Sequence, residues 1–278
     1  TGAVLYYNLP DVPDSVDVAM TIKDSKGKIV RQFSSVRDKD YVDYDGGPPN
    51  ESRLGKKEGL NRFVWDLRHP IMPGVTGVYI EGNYRGHKVI PGDYDITLKV
   101  GDEVVSQTLT VTGNPMYDIS TEDYEEFDVF MTEMEREITQ MHNLVNEMDD
   151  TRKRLESVME TIPSGSEYDA LRNNAKDLIQ ELKDWDAEMV QRKAKAYDDV
   201  ENYENKFTAN YLFLINASES SIPEVNDASK ERRQELDKKW VEYENQAREN
   251  IMKSITDFNK SLWDSGVGAI YVKPLPRS

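Results

Sequence analysis

The segment Gly113-Asn114-Pro115 divides the sequence into two parts that have different hydrophobic periods. Before it, apolar residues alternate with polar ones, as in Tyr94-Asp95-Ile96-Thr97-Leu98. Alternation with one polar face is typical of antiparallel strands that cover a core on one side. After Pro115 the apolar residues recur at steps of four and three, which is typical of helices that pack against other helices. The change of period therefore predicts a β part followed by an α part.

Residues 1–114 are predicted to form an immunoglobulin-like antiparallel β-sandwich. Alternating segments are separated by turn-forming ones such as Asp24-Ser25-Lys26-Gly27 and Pro91-Gly92. The spacing fits about seven short strands, the number that an immunoglobulin-like domain needs. The predicted core residues are Phe63, Trp65, Leu67, Tyr94, Ile96 and Leu98.

Residues 115–265 are predicted to form a long antiparallel three-helix bundle, and residues 266–278 an extended C-terminal tail. Ser120 is the expected N-cap of a first helix that runs to about Ile162, roughly 60 Å at 1.5 Å per residue. Short loops make neighbouring helices antiparallel. The segment from Lys206 to Asn226 is expected to be a connection, with Tyr211 to Ile215 closing one end of the bundle. The three apolar stripes begin at Phe127, Leu171 and Leu236.

The composition excludes several classes of function. Against 52 carboxylates the chain has 35 Lys and Arg, which gives a formal net charge of -17. Such a surface repels nucleic-acid phosphates and anionic lipid, so nucleic-acid binding is not expected. Membrane insertion is not expected either, because no apolar run approaches the roughly 20 residues needed to cross a bilayer. Without cysteine the chain has no disulfide, thiolate nucleophile or cysteine zinc site. Because the sequence begins Thr-Gly-Ala-Val without a signal peptide, we interpret it as a piece of a longer precursor.

No catalytic or cofactor-binding residue is predicted. The histidines His69, His87 and His142 are far apart in sequence and show no ligand spacing, so each is expected to be structural. A weak candidate for a calcium site is the acidic loop that carries four carboxylates without the spacing of an EF-hand. Its residues are Asp38, Asp40, Asp43 and Asp45. Motifs for phosphate cradles, nucleophile elbows and zinc proteases do not occur.

Two stretches resemble a known family. Gly59 to Pro70 (GLNRFVWDLRHP) and the following Ile90-Pro91-Gly92-Asp93-Tyr94 resemble the immunoglobulin-like domain at the C-terminal side of large bacterial sortilin-like proteins. Those proteins carry Asp-box (BNR) repeat β-propellers and are often labelled glycosyl hydrolases. Asn202 to Phe207 and the ending Gly266-Val267-Gly268 are similar to the helical tail of that family. The propeller repeats themselves do not occur in this chain, so the resemblance implies that any hydrolase activity would reside upstream.

Together these expectations favour a non-catalytic accessory module. It would come from the C-terminal part of an exported β-propeller protein and pack against the propeller or a partner protein. Its location would be periplasmic, at the cell surface or extracellular. The alternative is a free-standing binding protein that recognises a peptide or glycan, and a lesser alternative is a glycoside hydrolase fragment.

Overall fold

A computed structural model of the chain describes residues 2–219 and 222–268 and has mixed β and α content. The strands are β1 Ala3–Leu9, β2 Val18–Asp24, β3 Ile29–Ser34, β4 Gly59–Trp65, β5 Gly92–Val100 and β6 Glu103–Val111. They form a two-stranded antiparallel sheet, β1–β4, and a four-stranded antiparallel sheet in the order β3-β2-β5-β6.

The two sheets share one apolar core. Phe33 of β3 contacts Phe63 of β4, with ring centroids 4.6 Å apart, and Trp65 contacts Tyr94 at 5.6 Å. All six core residues predicted from the alternation lie in this core, with Leu67 at its edge and partly buried. The prediction of an inward-facing Phe-x-Trp strand is confirmed, since Trp65 is fully buried.

The α part consists of long helices that begin after Ser120, whose hydroxyl accepts a hydrogen bond from the Asp123 N–H as predicted for the N-cap. The last helix of the chain consists of three segments that follow one another without interruption, and the middle segment is π-helical. The helices are α1 Thr121–Thr161, α2 Asp169–Met189, α3 Phe207–Glu219, α4 Asp227–Asn245, the π segment Gln246–Ile251 and α5 Met252–Asp264. No helix in the described ranges is both long and apolar enough to span a bilayer.

The connection expected between Lys206 and Asn226 is instead largely helical. It contains α3, in which Tyr211 and Leu212 are fully buried against the other helices. The segment has enough apolar residues to cover a whole face of a helix. It therefore buries more apolar surface by packing along the other helices than by covering one end of the bundle. Of the tail predicted for residues 266–278, the part beyond Gly268 lies outside the described residues.

The apolar stripes of α1 and of the last helix are buried. In each helix one local irregularity keeps the stripe on the side that faces the other helices. In α1 the break at Arg152 leaves its guanidinium paired with Asp149 and Glu156, while the neighbouring Thr151 takes the buried position. In the last helix, Tyr243, Ala247, Ile251 and Ile255 follow one another at steps of four, which drifts from an ideal 3.5-residue repeat. The π segment adds the residue that keeps the stripe on one face.

Residues 70–86, which connect β4 to β5 and which we call the strap, belong to the helical core. The strap lies before residue 114 in sequence, yet its apolar side chains are buried among those of the helices. Its backbone also bonds to helix side chains: Asn216 of α3 exchanges two hydrogen bonds with Asn83, at 2.7 and 2.9 Å. The strap therefore joins the β part to the α part through a common core. Its buried apolar residues are Met72, Val75, Val78, Ile80 and Tyr84.

Candidate functional site

The residues that flank the strap on both sides form a short antiparallel ladder that brings two histidines together. Val89 N–H donates to the Leu67 carbonyl at 2.8 Å, and His69 N–H donates to the His87 carbonyl at 3.0 Å. In this register His69 and His87 are cross-strand neighbours, whose Cβ atoms lie about 5 Å apart in such a ladder. Their rings stack with centroids 4.1 Å apart and planes inclined by 12°. Both imidazoles therefore point in the same direction.

Two backbone features make this ladder possible. Leu67 has a φ of 60°, in the left-handed region that a leucine rarely adopts, and it turns the chain just before His69. Gly86 lies against His69 so closely that a Cβ would come within 2.7 Å of the His69 carbonyl carbon. Unusual backbone of this kind persists where the surroundings fix it, and it occurs often at functional sites.

Helix α1 supplies two carboxylates to the histidine pair. Asp128 and Glu135 are seven residues apart, two helical turns, and so lie on the same face of α1. Asp128 Oδ1 is 3.3 Å from His69 Nε2 and 3.1 Å from His87 Nε2. Glu135 Oε1 is 3.0 Å from His87 Nδ1 and also accepts the His87 backbone N–H at 2.6 Å. His87 is thus held between two carboxylates at both ring nitrogens.

The electrostatics of this cluster depend on burial opposed by hydrogen bonding. Burial alone lowers the pKa of His87, but the hydrogen bonds to Asp128 and Glu135 outweigh it and raise the pKa to about 9. Burial alone raises the pKa of Asp128, whereas the hydrogen bonds from His69 and His87 hold it well below its usual range. In the absence of other ligands, the cluster therefore favours an imidazolium at His87 and a carboxylate at Asp128.

The cluster is buried on the strap side and open on the other. His87 is fully buried, and the His69 carbonyl accepts a hydrogen bond of 2.9 Å from the buried Arg31. On the opposite side His69 and Asp128 line a cleft of about 410 Å³ between the turn after β2, the start of β5 and α1. Tyr94 forms part of the same wall. A small ion can therefore reach the two side chains from this cleft.

Among the described residues, this is the one place where three histidine or carboxylate side chains lie close enough to share a metal ion, with all ligand atoms within 4.8 Å of one another. The sequence-based interpretation of His69 and His87 as isolated structural residues missed it. Their proximity depends on the register of the ladder, for which the sequence contains no spacing motif. The available signal was the pair of carboxylates, Asp128 and Glu135, beside the apolar stripe of α1.

The other candidates from the sequence lie elsewhere. His142 is fully buried under the strap, and its Nδ1 donates to the Pro73 carbonyl at 2.7 Å. The acidic loop is exposed, and its carboxylates do not converge as a group of three among the described residues. Asp38 Oδ1 instead accepts the backbone N–H of Asp40 at 2.9 Å, as in an Asx turn.

A second, larger cleft lies at the junction of the β and α parts. It encloses about 970 Å³ and is lined by residues of the ladder, the linker after β6 and the segment between α3 and α4. Arg68 at its floor pairs with Glu219 at 2.6 Å. Tyr117 and Tyr124 form one of its walls.

Comparison of the chain with protein-family models, with curated proteins and with solved structures gives no match in any of the three.

Proposed function

We propose that the chain is a non-catalytic interaction module from the C-terminal part of a larger exported β-propeller protein, and that it packs against the propeller of the same precursor. The observation that carries this proposal is the outer face of the β1–β4 sheet. In this sheet Val4 pairs with Val64, Tyr6 with Arg62 and Asn8 with Leu60. On the outward face of this sheet, three apolar side chains are largely exposed: Val4 at 45%, Tyr6 at 63% and Leu60 at 63%. An outward sheet face of this kind is normally polar, so apolar residues here favour a partner surface.

The position of this face supports an upstream domain as its occupant. Any upstream part of the precursor connects to the chain at β1, the strand that carries Val4 and Tyr6. Attachment in the same chain gives two surfaces a high effective concentration when the linker between them is short. A weakly apolar face then suffices for stable packing between domains.

The common core supports a rigid role for the module. The strap joins the β part to helices that extend away from it, with α1 alone 41 residues long, or about 60 Å. Along α1 the large side chains Met131, Met134, Ile138 and Met141 are fully buried. A long helix that is packed tightly against its neighbours bends little, so it can hold a neighbouring domain at a fixed distance.

We further propose that the two parts are an immunoglobulin-like sandwich and an antiparallel three-helix bundle to which α3 is added. Two antiparallel sheets around one core support the first assignment. The helices α1, α2 and the continuous last helix, each with a buried stripe, support the second.

Hydrogen–deuterium exchange tests the proposal by comparing this chain alone with the natural gene product extended upstream of residue 1. The extended protein should contain propeller repeats and should protect the amides of β1 and β4. Introducing a charge on the face, with Tyr6→Glu or Leu60→Glu, should abolish that protection. The matched control is Val241→Glu, which places the same charge at a 54% exposed position of α4. An upstream sequence without propeller repeats, or equal exchange in both proteins, would contradict the proposal.

The cleft of about 970 Å³ favours a second candidate, a free-standing binding protein that recognises a peptide or glycan. Aromatic walls and a few polar groups are typical of ligand sites of this size. In that case peptide or oligosaccharide arrays should give a ligand whose binding is lost in Tyr124→Ala. Protection of the cleft rather than of β1 and β4 would favour this candidate over the module.

A further inference from the structure

We propose that His69, His87 and Asp128 bind one divalent transition-metal ion of the zinc class, which joins the ladder of the β part to α1. The ligand atoms are His69 Nε2, His87 Nε2 and a carboxylate oxygen of Asp128. This set of two imidazoles and one carboxylate is among those that zinc binds in proteins. The inference is independent of the proposed interaction with a propeller.

The distances between the ligand atoms fit such an ion. Bonds of about 2.0 to 2.1 Å in tetrahedral geometry place ligand atoms about 3.3 Å apart. Here Asp128 Oδ1 lies 3.3 Å from His69 Nε2 and 3.1 Å from His87 Nε2. The two nitrogens lie within 4.8 Å of each other. Because the ring planes are inclined by only 12°, the two imidazoles must turn about their side-chain bonds before both Nε2 lone pairs point at one ion.

A proton or a cation is required between Asp128 and each of the two imidazoles. A nitrogen lone pair and a carboxylate oxygen repel each other at about 3 Å unless a proton or a cation lies between them. Two Nε2 atoms face the same oxygen, so either each carries a proton or one metal ion satisfies all three atoms. One dication also balances the charges of Asp128 and Glu135 when both imidazoles are neutral. A single ion thus satisfies both Nε2 lone pairs and the negative charge of the carboxylates.

Glu135 orients His87 as a metal ligand. Its Oε1 accepts from the Nδ1–H and from the backbone N–H of His87, at 3.0 and 2.6 Å. A proton held on Nδ1 leaves the lone pair of Nε2 directed at Asp128. Carboxylates that hold the distal nitrogen of a ligating histidine in this way are a regular part of zinc sites.

The cleft beside the cluster offers the ion a path and a remaining coordination position. The side chains of His69 and Asp128 are 10% and 24% exposed. The carboxylates of Asp24, Asp93 and Glu125 line the same cleft, together with two lysines. Glu125 pairs with Lys26 at 3.1 Å, and the three carboxylates outnumber the two lysines, so the cleft keeps a small negative charge that favours cations. Water from this cleft can complete the coordination of the ion.

The test is metal binding by the purified chain after treatment with a chelator and its removal. Titration with Zn²⁺ should give one tight site per chain, and Co²⁺ should give the visible absorption of a four- or five-coordinate ion. His69→Gln and Asp128→Asn should each weaken Zn²⁺ binding at least 100-fold. Glu135→Gln acts through His87 and should weaken it about 10- to 100-fold. Asp40→Asn in the acidic loop is the matched control and should leave the affinity unchanged.

A wild-type measurement keeps the inference testable if a variant does not fold. Crystals grown with Zn²⁺ should show an anomalous peak about 2.0 to 2.2 Å from both Nε2 atoms and from Asp128. Failure of wild type to bind Zn²⁺ or Co²⁺, binding that persists in His69→Gln, or an anomalous peak elsewhere would each overturn the proposal. The cluster would then be a set of ion pairs shared through protons.

Discussion

The imidazole of His142 on α1 donates a hydrogen bond of 2.7 Å from Nδ1 to the carbonyl oxygen of Pro73 in the strap. The ring is fully buried, and Tyr84 of the strap lies beside it with ring centroids 6.0 Å apart. This contact joins the β4–β5 connection to the middle of the longest helix. It also makes the joint between the two parts sensitive to acid.

The first prediction concerns pH. Burial lowers the pKa of His142 from 6.5 to about 4, although the bond to Pro73 opposes the shift. The unfolded chain therefore binds the proton first as pH falls. The stability from neutral His142 is fully present above pH 6.5 and declines as pH falls toward 4, by up to about 1.4 kcal/mol per pH unit. Urea denaturation between pH 7 and 4 should show a shallower decline in His142→Gln. Equal slopes in the two proteins would contradict the assigned pKa.

The second prediction concerns the core between the sheets. Trp65 is fully buried, contacts Tyr94, and donates from Nε1 to the Arg68 carbonyl at 3.2 Å. Trp65→Ala should lower the free energy of unfolding by about 3 to 5 kcal/mol. Trp263, which is 74% exposed at the end of α5, provides the control. Trp263→Ala should change the stability by less than about 0.5 kcal/mol in the same urea titration. Similar losses in both variants would be inconsistent with this core.

The third prediction concerns the attachment of the strap to α3. Asn216→Ala removes both hydrogen bonds to the backbone of Asn83 and leaves two polar groups of the strap without them. The loss of stability should be about 1 to 3 kcal/mol, and the amide of Asn83 should exchange faster with deuterium. Asn210 on the same helix is exposed and bonds to the Lys206 carbonyl of its own turn. Asn210→Ala should leave strap exchange unchanged, and faster exchange there in both variants would refute a specific role for Asn216.

The fourth prediction concerns the close approach at Gly86. A Cβ at this position would meet the His69 backbone and the Pro70 carbonyl oxygen at 2.7 Å, and backbone atoms have little room to move. Gly86→Ala should therefore destabilise the chain by about 1 to 3 kcal/mol and displace the ladder. Gly268, beside which a Cβ meets nothing within 4 Å, is the control. The same thermal denaturation midpoint for Gly86→Ala and wild type would contradict so close an approach of the two segments.

The sequence predicted antiparallel strands followed by helices because the signals for both are local. The alternation around Tyr94 and the heptad spacing along α1 depend on which face of a strand or helix is buried. α3 was missed because Tyr211 to Ile215 is a short continuous apolar run, which has no clear period. Whether such a run is helical depends on the length of the segment and on the residues around it, which the hydrophobic period alone does not show.

The candidate site could not be predicted, because no local pattern specifies it. His69 and His87 meet through the register of a ladder whose two strands are separated by the entire strap. Asp128 and Glu135 then meet the pair only because the strap is buried against α1. Each step depends on tertiary packing between segments that are distant in the chain.

The strap has a consequence for the order of events during synthesis. The ribosome releases β1 to β4 and the strap before any helix, so Met72, Val78 and Tyr84 first emerge without the surfaces that will cover them. β5, which follows the strap, can pair with β2 at once, but the loop between them stays open until α1 and α3 have left the exit tunnel. A nascent chain halted before α3 would thus display these apolar residues to chaperones and proteases. The N-terminal part reaches its final form only when the C-terminal half has been made.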